Sequence, residues 1–436
     1  TSGLGAKLAG TAPSTEPLAD AAALQLRPRW VACAADRLPP PPPPVAAHAA
    51  VRLEVRRSAL IRRLQARFAE MCAAHGSGTP PMNALERWRF LSKWDEEVVT
   101  GAPPGDPVFP VAPYGDCADA ESIADDDDDA ARVGLRRSAG RWLLSDLLRA
   151  GLSPSAARDL VRDLGATSEK YAEEMRRAAQ QHHEEGVVAE AAHGEMVELR
   201  ASVAGESEGV RVSLTRASYA KLRALYDDGA GGNPSSDDEF RCRLFALLLR
   251  YQGIGGAGLH AALGPPVFDA LRRALPSLDF ECAASPLNSY HRSYCSAYAD
   301  VDAPFGSRGS FALFLPMRGA YEVNPPFAAG LIDAIAAHIL DCLAHAESRA
   351  EPLAFVVVLP GWRDSAGWRA LDASAHRVRA LHVAAADHGY VDGAQHTRPR
   401  TYRQSAWDTS LFFMQAREIG PRSARDPPEI SDGSHR

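Results

Sequence analysis

Residues 321–330 read YEVNPPFAAG and set one amide, two prolines and an aromatic ring in a row. An apolar, strand-like run precedes them and the helical pattern FAAGLIDAIAAHIL follows. Pro325 and Pro326 can neither donate to a sheet ladder nor continue one, so the strand ends there. Such an end offers two acceptors side by side, the Asn324 side-chain oxygen and the Pro325 carbonyl. An exocyclic amine such as N6 of adenine is a poor nucleophile because its lone pair is delocalised into the ring. If each acceptor takes one N–H, the nitrogen becomes more tetrahedral and its lone pair turns toward an electrophile. Phe327 would stack on the base and fix its plane, an interaction worth roughly 1–3 kcal/mol. No strong general base is needed, since the proton leaves readily once nitrogen carries positive charge. The plainer alternative is a turn that happens to hold two prolines, against which stands its place between a strand and a helix.

The pattern [Asn/Asp/Ser]-Pro-Pro-aromatic is the signature of S-adenosylmethionine-dependent methyltransferases acting on exocyclic amines, and Asn324, Pro325, Pro326 and Phe327 match it. Positioning such a tetrapeptide takes strands that end together. From about residue 266, short apolar runs (LDFECAASPLNSY, SFALFLP, GAYEVNPPF, EPLAFVVVLP, RALHVAAADHGYV, TSLFFMQ) alternate with helical stretches. The alternation predicts an α/β domain over 266–418 with a mainly parallel sheet covered on both faces, whose ligands gather at the carboxyl ends of strands.

The preceding 49–265 read as mainly helical. Leu53, Leu60, Leu64 and Phe68 recur at helical spacing, and GRWLLSDLLRAGLSPSAARDLVRDLG predicts two helices split at Pro154, with Ser153 and Ser155 as caps. MVELRASV and GVRVSLT predict a hairpin followed by a helix. Residues 1–48, with the proline run 39–44, predict a disordered Ala/Pro-rich segment, residues 117–130 an acidic loop, and 419–436 a flexible tail.

An apolar fraction of 46% and a charged fraction of 24% describe an ordinary globular chain. No run reaches the roughly 18–20 apolar residues of a membrane span and no apolar signal core opens the chain, so a soluble, unsecreted protein is expected. Seven scattered cysteines without a CxxC pair suggest neither a disulfide framework nor zinc. The net charge of −7 argues against nucleic-acid binding by bulk charge and leaves a local basic cleft open. Two decoys are set aside. GIGGAG matches a dinucleotide fingerprint through Gly253, Gly255 and Gly258, but follows a helical run, and Pro265 and Pro266 interrupt the helix it should open. His182, His183, Glu184 and Glu185 are adjacent and splay around a helix instead of converging on a metal.

The segments FECAASPLNSYHRSYCSAYADVDAPFGSRG, YEVNPPF, FVVVLPGWRD, DHGYVDGAQH and TSLFFMQ, in this order over about 240–416, closely resemble the phosphorylated-CTD-interacting-factor family. Its members are cap-specific adenosine N6-methyltransferases. The resemblance implies a Rossmann-like methyltransferase domain preceded by a mainly helical domain, S-adenosyl-L-methionine as cofactor, capped mRNA as partner, no membrane, no metal and a nuclear location. It implies a cofactor site at Ser285, Pro286, Leu287, Asn288, Gly306, Ser307 and Asn324, with Phe305 beside it, and substrate contacts at Arg308, Phe327, Trp362 and Arg363. Methylation of internal RNA or DNA adenine, or RNA binding without turnover, are the alternatives. Departures are an acidic residue replaced by Gly361 and an Arg-Ser pair replaced by Val391 and Asp392, which would weaken phosphate contact. His388 and His396 are read as structural or substrate-contacting. Trp88 and Trp94 stand too close together, and Trp30 too isolated, for a WW module, so binding to the polymerase tail is not expected.

Overall fold

The computed structural model describes residues 46–76, 81–111, 139–181, 186–203, 209–229, 236–254, 261–393, 395–398 and 401–417. The proline run, the aspartates at 125–129, the cluster at 182–185, Gly255, Gly258 and the tail lie outside the described residues.

Helix α1 (Ala47–Ala74) buries the predicted stripe of Leu53, Leu60, Leu64 and Phe68. Helix α2 (Met82–Thr100) stops at Gly101, whose φ of 65° is the left-handed conformation glycine tolerates and whose N–H donates to the Glu97 carbonyl. Helix α3 (Ala139–Arg149) precedes α4 (Pro154–Gln180), where Ser153 alone is the cap, accepting the Ala156 N–H at 3.3 Å. Pro154 fills the first turn, where its missing N–H is harmless. Strands β1 (Val187–His193), β2 (Met196–Ser202) and β3 (Val210–Thr215) form an antiparallel sheet in that order. The predicted hairpin is β2–β3; β1 is an addition. Helices α5 (Arg216–Gly229) and α6 (Asp237–Gln252) follow.

Pro265 and Pro266 open helix α7 (Pro265–Ala274) instead of breaking one. Then come β4 (Leu278–Ala284), β5 (Ser293–Ser296), α8 (Ala299–Asp302), β6 (Gly319–Val323), α9 (Ala329–Ser348), β7 (Leu353–Pro360), α10 (Ala366–Ala373), β8 (Arg377–Val383), β9 (Gly389–Val391), β10 (Tyr402–Gln404) and β11 (Thr409–Gln415). SFALFLP forms no strand: Ser310 caps a single 3₁₀ turn over Phe311–Leu313, a local hydroxyl bond outcompeting β-propensity. Six strands make one mixed sheet in the order β5-β4-β6-β7-β11-β8. Strands β5, β4, β6 and β7 pair in parallel, and β11 runs antiparallel to both its neighbours.

Along β7 every residue is buried, and the side chains alternate between two faces. Leu353, Phe355, Val357 and Leu359 join the large core shared with α1, α2, α6 and α9; Val356 and Val358 join a smaller core with Leu271 of α7 and Phe413 of β11. The helical layer and the sheet thus share one apolar interior. Arg250 of α6 adds a polar tie: it is fully buried and donates to Glu54 of α1 at 2.6 and 2.9 Å and to Asp300 of α8 at 2.7 and 3.0 Å. Helix α9 is long and apolar enough to cross a membrane by length and composition, one 18-residue window having a mean hydropathy of 1.4, although Asp333 and Asp341 interrupt its apolar run. Here it packs against β7, α2 and α10 as a core helix.

Candidate active site

Chain order runs from β4 outward to β5 on one side and from β6 outward to β7 on the other. The strand direction of progress reverses between β4 and β6, and the crevice beyond their carboxyl ends is where an open α/β sheet takes ligands. Ser285 leaves β4 and Asn324 leaves β6 at that crevice. A cavity of about 90 Å³ lies there, lined by Ser285, Asn288, Ser296, Asn324 and Pro326 from the sheet side and by Phe90, Lys93, Trp94 and Glu97 of α2 from the helical layer.

Asn324 is 8% exposed, and its Nδ2 donates to the Ala261 carbonyl at 3.0 Å. This bond fixes the amide's orientation and leaves Oδ1 buried without a hydrogen-bond partner among the described residues. Ala261 is itself held from a distance, because Ala262 and Val391 of β9 exchange N–H···O bonds of 3.0 and 2.8 Å. A buried acceptor without a donor is costly, and a protein keeps one where a donor is to be delivered.

Ser285 and Asn288 close a tight turn: the Ser285 N–H and hydroxyl donate to Asn288 Oδ1 at 2.7 and 2.9 Å, and the Asn288 N–H donates to the Ser285 carbonyl at 3.1 Å. Pro286 and Leu287 are buried; Leu287 belongs to the large core and borders a second hollow of about 370 Å³ that also meets Ser285 and Tyr251. Neither lines the cavity beside Asn324. Gly306 and Ser307 do not line it either. Gly306 has a φ of 103°, and a Cβ there would fall 2.3 Å from the Arg292 carbonyl. Ser307 shares a 2.6 Å hydrogen bond with Ser296, which does line the cavity, so the pair braces the wall. Phe305 is core, against Tyr226 and Phe240. Arg308 lines neither hollow; its N–H donates to the Tyr294 carbonyl at 2.8 Å.

Phe327 faces the other way. It lines a groove of about 830 Å³ with Trp142, Trp362 and Trp407, rimmed by Arg87, Arg149 and Arg369 and by Asp146. The Phe327 ring meets Trp362 edge-on at 6.4 Å and Tyr390 at 5.7 Å. The Tyr390 hydroxyl and His388 Nε2 both bond to Thr409 Oγ1 at 2.7 Å, so His388 supports the ring that supports Phe327. Arg363 is exposed and lies 5.8 Å over the Trp368 ring, outside the groove. His396 borders the second hollow, and burial pushes its imidazole down to about 4, which keeps it neutral. Asp392 presents no acidic face: it is 5% exposed and bonds Arg403 at 2.5 Å and Arg398 at 3.6 Å. Gly361 donates its N–H to the Asp408 carbonyl at 2.6 Å, and a Cβ would stand 3.0 Å from Asp408 Cβ.

Beneath the site, Glu281 of β4 and Glu322 of β6 face each other in register. Glu281 accepts the N–H groups of Tyr290 and His291 at 2.8 and 2.7 Å, yet burial lifts it to about 7. Glu322 is raised much further, by burial and by Glu281, and stays protonated. Burial also raises Asp302 to about 7, although the Tyr251 hydroxyl donates to it at 2.7 Å. The part of the site missed from the sequence is the α2 wall, whose Lys93 and Glu97 carried no motif.

Residues 221–393 match the family described as Phosphorylated CTD interacting factor 1 WW domain. This finding corrects the expectation that no WW module is present, and with it the expectation that polymerase-tail binding lacks support. The spacing of Trp30, Trp88 and Trp94 misled because the matched segment lies beyond all three; it holds Trp362 and Trp368. Two curated proteins, each named mRNA (2'-O-methyladenosine-N(6)-)-methyltransferase, from Mus musculus and Homo sapiens, are 38% identical over 218 residues. The aligned part is 48% of this chain and 30% of each relative, so the chain spans less than a third of their length. In sequence, the chain is thus similar to the phosphorylated-CTD-interacting-factor proteins across residues 221–393, which hold Asn324.

Proposed function

We propose that this chain is an adenine N6-methyltransferase that uses S-adenosylmethionine and acts on the cap-adjacent adenosine of mRNA in the nucleus. The observation that carries the reading is the buried Asn324 Oδ1 at the β4/β6 crossover, which has no hydrogen-bond partner among the described residues. The strand order, with one antiparallel strand next to the last position, supports a Rossmann-like methyltransferase sheet. The names of the 38% identical relatives support the acceptor.

When bound, S-adenosylmethionine supplies a methyl group on a sulfonium, an electrophile that needs no metal. The cavity residues fit such a donor, with apolar walls from Phe90, Trp94, Leu331 and Ile335 and polar groups from Ser285, Asn288 and Asn324. Asn324 Oδ1 and the Pro325 carbonyl take the two N–H bonds of the amine and aim its lone pair into the cavity. Phe327, braced by Tyr390, holds the base plane on the groove side. Trp362, with Trp407 edge-on at 5.9 Å, offers a face for a positively charged purine, and the rim arginines offer charge to phosphate. The tetrapeptide therefore stands as a partition between a donor cavity and an acceptor groove.

Purified protein incubated with labelled S-adenosylmethionine and RNAs beginning with capped A, uncapped A or capped G, plus a DNA duplex, tests the reading. Label on capped A alone is expected. Equal label on capped and uncapped A would remove the cap requirement, and label on none would overturn the activity.

A further inference from the structure

Helix α2 carries Glu86, Arg89, Lys93 and Glu97 at spacings of three and four, the pattern of a solvated helical face. All four are buried, Lys93 at 7% and Glu97 at 2% exposure. Glu86 pairs with Arg89 at 2.8 Å, Lys93 pairs with Glu97, and Glu97 Oε2 accepts the Ser310 hydroxyl at 2.6 Å. The two pairs differ in what they face. Lys93 and Glu97 line the cavity with Asn324 and Pro326, whereas Glu86 and Arg89 do not.

A buried ion pair gains little over well-packed apolar side chains, because desolvation offsets most of the Coulomb attraction. One set in a cavity wall has a further use: it presents an opposite charge to each end of a zwitterion without placing net charge in a dry site. We propose that Lys93 and Glu97 receive the amino-acid end of the methyl donor, its carboxylate on the Lys93 ammonium and its ammonium on the Glu97 carboxylate. The inference rests on the donor reading above. Among the described residues Glu97 takes one of the three Lys93 donors, and each Glu97 oxygen keeps a lone pair for a second bond. The assignment makes α2, which lies outside the matched 221–393, part of the donor site. Donor binding then joins the helical layer to the sheet.

Calorimetric titration of the full chain with S-adenosylhomocysteine, which has the amino-acid end, and 5′-methylthioadenosine, which lacks it, tests the assignment. Wild type, Lys93→Met and the double variant Lys93→Met/Glu97→Gln are compared; the double variant removes both charges together, so neither is stranded in the interior. Wild type is expected to prefer S-adenosylhomocysteine. Both variants are expected to lose roughly ten- to a hundredfold for that ligand, as for a charged hydrogen bond, and nothing for methylthioadenosine. An unchanged preference in the double variant, or a parallel loss for both ligands, would overturn the assignment. Wild type binding neither ligand would instead overturn the donor reading itself.

Discussion

The cavity beside Asn324 has two walls built on different rules. The sheet wall is polar through backbone geometry and neutral groups: a turn closed by Ser285 and Asn288, an amide aimed by the Ala261 carbonyl, and a proline pair. The helical wall is polar through full charges, Lys93 and Glu97, on a regular helix. Neutral dipoles held by a sheet orient a reacting amine without fixing a charge beside it. Full charges grip a ligand's far end, where strength matters more than angle. On the proposed reading, the difference divides reactivity and retention between two layers far apart in the chain.

Asn324→Ala should break the sheet wall most completely. Methyl transfer is expected to fall roughly a hundred- to a thousandfold, as when a preorganised polar partner is removed, while donor affinity measured by titration is largely kept, Asn324 being one of several polar groups on the donor cavity. Retained turnover would show that the amine acceptor lies elsewhere. Arg250→Ala attacks the tie between the layers: Asp300 loses that partner, while Glu54 keeps its ion pair with Arg57; a loss of about 3 kcal/mol in denaturant unfolding is expected. Phe327→Ala should cost about 1–3 kcal/mol in kcat/KM on the acceptor side, with the donor dissociation constant unmoved. A matching loss in donor affinity would erase the distinction between cavity and groove.

The smallest expected effect is on pH dependence. Asp302 titrates from 3.8 in an open chain to about 7 in the fold, so between these values the folded state holds the extra proton. Its contribution is complete at the acid end and is lost as pH rises through 7. Melting temperature should therefore decline from about pH 4 to 7. Asp302→Asn, which keeps an acceptor for the Tyr251 hydroxyl, should flatten that decline. An unaltered slope would place the titration elsewhere, Glu281 being the other carboxyl lifted to about 7.

The setting of the tetrapeptide was legible because it is local: the end of β6 at Val323 and the start of α9 at Ala329 lie within ten positions. The helices α1, α3 and α4 and strands β4, β6, β7 and β11 were legible through their periodicities. Lys93 and Glu97 were not, since an i,i+4 pair reads as a solvent face until the fold shows what covers it. The aim of Asn324 depends on a carbonyl 63 residues away, a distance no motif spans. Gly306 and Ser307 were assigned to the cofactor site through the family resemblance, but their places are set by the Arg292 carbonyl and Ser296. Strand β1, VVAEAAH, is rich in alanine and earns its conformation from pairing with β2.

The position of β11 has a consequence for how the chain comes to fold. It is the last described strand, yet it sits between β7 and β8, and among the described residues β8 meets the sheet only through it. During synthesis the cavity, Asn324 and the whole parallel half can assemble while one edge of β7 stays bare and β8 hangs free. A bare, apolar edge invites pairing with a neighbouring chain. A nascent chain halted before Thr409 would lack one strand and leave a second without a place, so aggregation, more than a dead active site, is the hazard of stopping short.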